Sequence, residues 1–515
     1  MPKFYLTTAI DYANGDPHLG HAFEKIGADA IARYHRLLGD DVWFLIGMDE
    51  HGQKVAQTAA EQRLTPQQLT DRIAESFLKM WDTLAISRDQ FIRTSTPEHR
   101  EGVSELLERI FARHPEDFYE KSYQGWYCVG CEAFKQDAEI ENGRCVLHPT
   151  RTLEWVEERN WFFRLTAYQD RLRAHIAAHP EFIQPESRRN EILGLLEQGL
   201  EDVSASRSRF SWGVPFPRPT SDGELQTTYV WFDALPNYWT ATRFAGSHAA
   251  WPAQLHVIGK DIIRFHCVIW PAMLWAAELP LPERVWAHGF VQLGGERFSK
   301  SAGVKLDLSE AVDRYGPDAF RYFLLREVPF DTDGNFSWER FEERYAADLA
   351  NGFGNLASRT IAMIEKYRGG DVPRLDPSAR SEAAPWLSAE QRRYAGAMQA
   401  CLLHEALAAT WRIVARANEY VDRQAPWRLA KDASRSQALD ETLAVLAFAL
   451  AQLALMVTPF MPTKAQELWR QLGAPGNVDE TRWPSGDGAT APALDPSGWR
   501  VQKGQGLFPR DEAAK

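Results

Sequence analysis

Cysteine is scarce in this chain, with five residues among 515. Cys128, Cys131 and Cys145 fall in one short segment, whereas Cys267 and Cys401 stand alone in apolar surroundings. Disulfide-stabilised secreted domains use far more cysteine per residue. The scarcity therefore excludes a disulfide scaffold and predicts a reducing, cytoplasmic compartment.

Long apolar runs and an excess of basic residues are also missing. The longest apolar run, Leu443 to Val457, contains Gln452 and is shorter than the roughly 20 residues that span a bilayer, so it predicts a buried helix. Asp11 and Asp16 interrupt the early apolar stretch, so no signal-peptide pattern is present. The formal net charge of −12 disfavours general binding to a polyanion. We therefore expect no membrane role, and nucleic-acid contact only through local basic patches.

The tetrapeptide His18-Leu19-Gly20-His21 lies between an apolar run, Phe4 to Ile10, and a stretch of helical periodicity, Ala22 to Leu38. This order predicts a strand followed by the start of a helix. Helix N-termini attract phosphates because their unpaired N–H groups and the helix dipole face the ligand. The spacing places both imidazoles on one face of the first turn, Gly20 leaves room for a flat group, and Asp16-Pro17 is predicted to supply the cap. The motif therefore predicts a triphosphate site.

The order of apolar and helical segments indicates an α/β protein of several domains. Strand-like runs alternate with amphipathic helices up to about residue 112, the pattern of a Rossmann-type doubly wound parallel sheet. Strand-like segments resume at Thr228 to Phe232 and at His256 to Ile258, so an insertion splits the sheet. From about 338 to 472 the apolar spacing predicts an all-α bundle. The predicted division is 1–112 and 229–291 for the two halves of the sheet, 113–228 for the insertion, 292–353 for a loop and linker region, 354–472 for the bundle and 473–515 for the tail.

The insertion contains two short turns, Cys128-x2-Cys131 and Cys145-x2-His148, with thirteen residues between them. Each turn presents two ligands, and together they form a Cys3His set that fills a tetrahedral Zn²⁺ with no open position. A catalytic zinc needs a free position for water or substrate, so the pattern predicts one structural zinc in a knuckle. Redox regulation of these thiols is the minor alternative.

A downstream segment, Arg297 to Ser301, together with the two-histidine motif resembles the HIGH and KMSKS elements of class I aminoacyl-tRNA synthetases. The resemblance implies an ATP site closed by a mobile loop, with Mg²⁺ accompanying ATP. Arg297 and Phe298 depart from the family motif, while its last three positions are kept. Carried over by position, the catalytic residues are His18, His21 and Lys300, and the ATP contacts are Asp16, Gly20, Gly259, Asp261, Ser299 and Ser301.

Further stretches resemble methionyl-tRNA synthetases in particular, and the likeness covers almost the whole chain. They are Ala9 to Gly15, Asp49-Glu50-His51-Gly52, Tyr229 to Ala234 and Gly259 to Ile262. The resemblance implies an aromatic cup for the flexible, polarizable methionine side chain, with Tyr12 and His266 adding a polar contact to the thioether and Asp49 binding the ammonium group. Carried over by position, the methionine contacts are Ile10, Tyr12, Asp49, Trp231, Ala234, Leu235, Tyr238, Ile262 and His266.

The helical region contains residues that resemble the anticodon-reading elements of that family. Asn355 and Arg359 lie four apart on one face of a predicted helix, and Trp427 would stack on an unpaired base. The stretch from Trp411 to Lys431 has five basic and two acidic residues. The resemblance thus implies tRNA(Met), ATP and L-methionine as partners. No further tRNA-binding extension is evident after the tail, which favours a monomer.

Two other functions stay open from the sequence. A small-molecule nucleotidyltransferase would share the two-histidine site but would not need an anticodon reader. A noncatalytic tRNA-binding relative would have no physical need to keep His18, His21 and Lys300. The resemblance favours a methionine–tRNA ligase, which forms methionyl adenylate and pyrophosphate and then charges tRNA for translation initiation and elongation.

Overall fold

The computed structural model describes residues 1–129, 131, 133–146, 148–208, 211–244, 246–247, 251–293, 296–297, 308–374, 376, 385–483 and 494–509. At its centre lies a parallel β-sheet, whose strands are β1 (Lys3–Thr8), β2 (Asp11–Tyr12), β3 (Asp41–Asp49), β4 (Gln90–Arg93), β11 (Ile183–Gln184), β15 (Leu255–Gly259) and β16 (Val285–His288). The order is β11, β16, β15, β1 and β3, and β2 and β4 both pair with β3. The chain leaves β1 towards β3 and returns to its other side with β15. The sheet is therefore doubly wound, as predicted.

Helices cover both faces of this sheet. Side chains of β1 alternate between two hydrophobic cores, with Phe4 and Leu6 on one face and Tyr5 on the other. The helices of this region are α1 (Leu19–Leu38), α2 (Gln53–Glu61), α3 (Pro66–Thr83), α4 (Pro97–Arg113), α5 (Gln169–Ala178), α6 (Glu186–Gln198), α7 (Val230–Ala234), α8 (Asn237–Thr240), α9 (Trp270–Ala276), α10 (Leu308–Tyr315) and α11 (Pro317–Glu327). Helix α1 packs into the first core and α4 into the second, which we call the α1-side core and the α4-side core.

The insertion builds small sheets of its own. The larger one is antiparallel and contains β5 (Phe118–Cys128), β6 (Ala133–Lys135), β10 (Glu154–Phe163) and β12 (Val203–Ser204). A second sheet contains β7 (Ile140–Glu141), β8 (Arg144–Cys145) and β9 (His148–Thr152), and a third contains β13 (Ser206–Arg207) and β14 (Thr227–Thr228). A further small sheet lies beyond the insertion and contains β17 (Val291–Leu293), β18 (Glu296–Arg297) and β19 (Gly334–Phe336). Within the predicted insertion, β11 returns to the parallel sheet and pairs with β16.

The predicted strand from Thr228 to Phe232 is wrong beyond its first residue. Strand β14 ends at Thr228, and the residues that follow Tyr229 form helix α7. The N–H groups of Phe232 and Asp233 bond back to the carbonyl oxygen of Tyr229 at 2.8 and 3.1 Å. Aromatic and β-branched residues favoured a strand here, but tertiary packing prevails over that propensity.

The remainder of the described chain is mainly helical, as predicted. Its helices are α12 (Trp338–Arg344), a π-helical segment (Tyr345–Gly354), α13 (Asn355–Arg368), α14 (Pro385–Gln399), α15 (Leu403–Gln424), α16 (Pro426–Leu429), α17 (Ser436–Val457) and α18 (Pro462–Gln471). One described helical stretch, Ala433–Val457, is long and apolar enough to cross a bilayer, but 83% of its most apolar window is buried inside the protein. It is thus a core helix of the bundle.

A buried arginine joins the bundle to the parallel sheet region. Arg321 of α11 donates to Asp29 Oδ2 of α1 at 2.6 Å, to the carbonyl oxygen of Leu84 at 3.0 Å, and to those of Pro459 and Phe460 at 2.9 and 2.8 Å. Neither Arg321 nor Asp29 is exposed to solvent. Arg321 therefore fastens α1 to α11 and to the connection between α17 and α18.

Replacing this arginine should destabilise the protein. In Arg321→Leu, a buried carboxylate loses one cation and three buried carbonyl groups lose a donor, so we expect the free energy of unfolding to fall by about 3 kcal/mol. Arg500→Ala is the control, because Arg500 pairs with Asp371 at the surface and should contribute less than about 1 kcal/mol. Chemical denaturation followed by tryptophan fluorescence measures both. An equal loss in the two variants would contradict the interpretation.

Candidate active site and metal centre

Helix α1 begins at the predicted phosphate site. His18 is its N-cap, and Nδ1 of this residue accepts a hydrogen bond from the Gly20 N–H at 3.1 Å, while Nδ1 of His21 accepts one from the His18 N–H at 3.2 Å. The two rings are stacked with centroids 3.6 Å apart. Because each Nδ1 accepts a bond, this geometry assigns the proton of each neutral ring to Nε2. Two imidazole N–H donors therefore stand at the positive end of a helix.

The predicted cap by Asp16-Pro17 is wrong. Asp16 is exposed and accepts a hydrogen bond from Ser76 Oγ at 3.1 Å. His18 and His21 form the capping box instead, since their ring nitrogens reach the N–H groups of the first turn. A β carbon on Gly20 would lie 3.1 Å from Cε1 of His18, so the missing side chain leaves space for the stacked ring.

The carboxyl ends of the central strands meet beside this helix start. Tyr12 of β2 and Asp49 of β3 are register partners, and Tyr12 packs against both cores. Gly259 ends β15, and the exposed Asp261 follows in a short 3-10 turn. These predicted ATP and methionine residues thus share one edge, near the point between β1 and β15 where the strand order reverses. Open α/β sheets bind ligands at such a point.

The loop residues Ser299, Lys300 and Ser301 lie outside the described part of the chain, so their positions stay a prediction. The last strand of the parallel sheet before this loop, β16, ends at His288, and the short strands β17 and β18 lie between it and the loop. Nε2 of His288 lies 3.1 Å from Glu24 Oε2 of α1. The chain therefore leaves the sheet for this loop from the edge that carries the two histidines.

The predicted methionine residues gather around two short helical segments. The ring of Trp231 in α7 is parallel to that of Phe265 at a centroid distance of 3.7 Å, and edge-on to that of His266 at 6.2 Å. Phe265 begins a π-helical segment and was not predicted, although its place beside His266 in an aromatic-rich stretch was an available signal. Further predicted contacts belong to or pack against the α4-side core or lie buried in α7, namely Ile10, Ala234, Leu235 and Ile262.

His266 forms hydrogen bonds through both ring nitrogens. Nδ1 donates to the carbonyl oxygen of Ile262 at 3.0 Å, which leaves Nε2 to accept from the hydroxyl of the buried Tyr238 at 2.7 Å. Burial lowers the pKa of His266 to about 4, so the ring is neutral at physiological pH. Both ring nitrogens are engaged in this structure, and the predicted polar contact from His266 to a thioether stays a prediction.

A buried charged network beneath the helix start was missed by the sequence analysis. Nζ of Lys25 donates to Asp11 Oδ1 at 2.8 Å, Glu24 Oε1 at 2.7 Å and the carbonyl oxygen of Ala9 at 2.9 Å. Burial raises the pKa of Asp11 to about 7 despite this lysine. Charged residues on an amphipathic helix are normally assigned to solvent, but Glu24 and Lys25 lie between the buried Phe23 and Ile26, which was the available signal.

The four predicted metal ligands come together in the insertion. Sγ of Cys131 lies 3.6 Å from Sγ of Cys145 and 3.3 Å from Nδ1 of His148, which is 3.7 Å from Sγ of Cys128. All four ligand atoms lie within 4.8 Å of one another. A tetrahedral Zn²⁺ with Zn–S bonds of about 2.3 Å has ligand-to-ligand edges of about 3.7 Å. The three distances given above are close to these edges, so the cluster is suited to a zinc ion.

Two of the predicted anticodon residues lie together on the bundle. The guanidinium of Arg359 is 5.9 Å from the ring centroid of Trp427 and donates to Asp422 Oδ1 at 3.0 Å. Trp427 is 39% exposed, which is high for tryptophan. Asn355 begins α13, one helical turn before Arg359. The arrangement offers an open aromatic face beside a cation.

Comparison with known families matches most of the chain. Residues 4–152 and 135–361 match the family described as tRNA synthetases class I (M), and residues 387–498 match the anticodon-binding domain of tRNA ligases. These matches agree with the parallel sheet region and the helical bundle. The first match includes the two histidines at the start of α1, and the second includes Trp427 on the bundle.

Curated relatives and solved structures agree with these matches. The methionine–tRNA ligase of Caldanaerobacter subterraneus subsp. tengcongensis is 43% identical over 99% of this chain and 79% of its own length, and that of Brucella melitensis biotype 1 is 44% identical over 96% and 97%. Mycobacterium tuberculosis methionyl-tRNA synthetase in complex with methionyl-adenylate is 40% identical, with a TM-score of 0.90 over 99% of this chain and 100% of that one. Because these matches extend over almost the whole chain and agree with the two histidines at the start of α1, this chain belongs to the methionine–tRNA ligase family of class I aminoacyl-tRNA synthetases.

Proposed function

We propose that the protein activates L-methionine with ATP and transfers the methionyl group to the 3′ end of tRNA(Met), in initiation and elongation. One observation carries the proposal. The helix start with its two imidazole donors opens at the sheet edge that holds the Tyr12 and Asp49 pair. A triphosphate on the helix and an amino acid beside Asp49 would then meet at their reacting groups.

In the first step, a carboxylate oxygen of methionine attacks the α-phosphorus of ATP. The bond from that phosphorus to the bridging oxygen breaks, and pyrophosphate leaves with the electron pair. His18 and His21 would donate Nε2–H bonds to phosphate oxygens as negative charge grows there, and Lys300 would add a cation on loop closure. Mg²⁺ bound with ATP would neutralise further phosphate charge. Asp16, Gly20, Gly259, Asp261, Ser299 and Ser301 would line the nucleotide.

In the second step, a ribose hydroxyl at the tRNA 3′ end attacks the carbonyl carbon of the adenylate, AMP leaves and the hydroxyl proton is released. On the bundle, Trp427 would stack on an unpaired anticodon base, while Arg359 and Asn355 would reach base edges or phosphates. Stacking of this kind contributes about 1 to 3 kcal/mol per base. We propose a cytoplasmic monomer for this role.

The methionine side chain would lie against the wall formed by Trp231, Phe265 and the neutral His266. Sulfur beside aromatic rings gains about 0.3 to 1.5 kcal/mol per contact, and this wall offers no ionised group to be desolvated. Asp49 would pair with the ammonium group. The remaining predicted contacts would close the pocket around the side chain, namely Ile10, Tyr12, Ala234, Leu235, Tyr238 and Ile262.

Paired variants test the two steps of the reaction separately. Methionine-dependent exchange of pyrophosphate into ATP should occur without tRNA, and Lys300→Ala should lower it by at least about 100-fold because a transition-state cation is lost. Trp427→Ala should leave exchange unchanged and lower aminoacylation kcat/KM by about tenfold or more through lost stacking. Absence of exchange in the wild-type protein would support the noncatalytic alternative. Exchange that depends on another amino acid would show that this amino acid, and not methionine, is the substrate.

The buried His266 makes stability depend on pH. An unfolded histidine has a pKa of about 6.5, and the folded value is about 4, so the unfolded state binds more protons below about pH 6.5 and stability falls as the pH falls. In His266→Gln this contribution is absent. The loss of unfolding free energy between about pH 7.5 and about pH 5.5 should be smaller by about 1 kcal/mol than in the wild type. Equal losses in denaturation titrations would show that the ring is not buried in its neutral form.

The Cys3His cluster would hold one structural zinc, which cross-links the two turns of the knuckle. Protein purified without chelator should contain about one zinc per chain by atomic emission. Cys131→Ser should remove most of it, because a closed site loses one of its ligands. Cys267→Ser is the control, since this buried thiol lies outside the cluster and should leave the zinc content unchanged. Metal content that survives Cys131→Ser would contradict the assignment.

A further inference from the structure

A chain of buried side chains crosses the methionine side of the molecule without a role so far. Nδ1 of His51 lies 2.7 Å from Asp233 Oδ2, and Nε2 of His99 lies 3.1 Å from Asp233 Oδ1. Nδ1 of His99 lies 2.8 Å from Oγ1 of Thr240. Asp233 and His99 have no exposed surface and His51 has 2%. We call these residues the His51–Asp233–His99 chain.

The His51–Asp233–His99 chain connects the side of the proposed methionine pocket that carries Asp49 with the side that carries Trp231. His51 follows the end of β3 and comes two residues after Asp49, while Asp233 lies in α7 two residues after Trp231. The His51 ring also lies edge-on to Trp212 at a centroid distance of 5.4 Å. A hydrogen bond to the Asp233 carboxylate therefore spans the separation between the end of β3 and α7 at the pocket.

The charge distribution makes this connection stiff. Burial alone would raise the pKa of Asp233, but His51 and His99 hold it well below its usual range. Both carboxylate oxygens are occupied, so the carboxylate cannot turn without leaving a buried charge unpaired. Breaking such a pair costs more than breaking an exposed one, since no water replaces the lost partner.

We propose that His51 and Asp233 are positioning residues for methionine, which hold Asp49 and Trp231 at the separation that the amino acid requires. The proposal rests on the proposed function, because it presupposes methionine as the substrate. Neither residue touches the reacting atoms. Since the described nucleotide residues lie at the start of α1 and around the end of β15, breaking the connection should weaken methionine binding and leave ATP binding unchanged.

The test is the KM for methionine and for ATP in pyrophosphate exchange. Asp233→Asn should raise the KM for methionine by about tenfold or more, the effect of losing a hydrogen bond to a charged group, with the KM for ATP within about twofold of wild type. His51→Leu should do the same. His51→Gln retains an N–H donor and should show a smaller rise than His51→Leu.

His35 and Asp40 provide a matched control at the opposite end of β3. Their side chains lie 2.6 Å apart in a similar imidazole–carboxylate pair, away from the pocket. Asp40→Asn and His35→Gln should change neither KM. Circular dichroism and thermal unfolding identify variants that fail to fold. If Asp233→Asn is one of them, the comparison of His51→Leu with His51→Gln decides the result.

The outcomes separate the two proposals. A methionine KM within about twofold of wild type in folded Asp233→Asn or His51→Leu, or a parallel rise in both KM values, would overturn the positioning role. Equal effects of His51→Gln and His51→Leu would also overturn it. Absence of methionine-dependent exchange in the wild-type protein would instead overturn the proposed function.

Discussion

A single stripe of α1 fixes where a nucleotide can bind. His21, Lys25, Asp29 and Arg33 follow at four-residue spacing, so they share one face of the helix. Lys25 is held by Asp11 and Glu24, and Asp29 is held by Arg33 and Arg321. Buried charges must keep their partners, so the helix can neither rotate nor slide without a large loss of stability. The two imidazoles at its start therefore present their N–H groups in one place.

The two substrates would meet surfaces of opposite character. The nucleotide side has helix-end donors and, in the proposed mechanism, a cation delivered by a loop, which suits a polyanion. The wall formed by Trp231, Phe265 and His266 on the methionine side is neutral, because burial keeps His266 uncharged while its Nε2 accepts from Tyr238. The polarizable sulfur would then lie against rings, and the carboxylate of Asp49 would pair with the ammonium group. Specificity and catalysis are thus assigned to separate walls of one cleft.

Local pattern predicted much of this fold, and long-range contacts limited the rest. The apolar run from Phe4 to Ile10 and the helical stretch from Ala22 to Leu38 have strong patterns, and the doubly wound parallel sheet was predicted from the alternation of such segments. The cap at Asp16 was wrong because the rings of His18 and His21 cap the helix themselves. The strand at Thr228 was wrong beyond its first residue because tertiary packing prevailed over local propensity. The resemblance to a family indicated His266 and Trp231. It did not indicate the bond between His51 and Asp233, which are 182 positions apart.

The α1-side core has a consequence for dissecting the protein. It runs without a break from Leu6 of β1 through Phe323 of α11 to Leu443 of α17, so the sheet and the bundle share one apolar interior. A fragment that stopped before α13 would expose the apolar surface that the bundle normally covers, and such a fragment would aggregate. The bundle and the sheet that carries the proposed active site should therefore unfold together, as one cooperative unit.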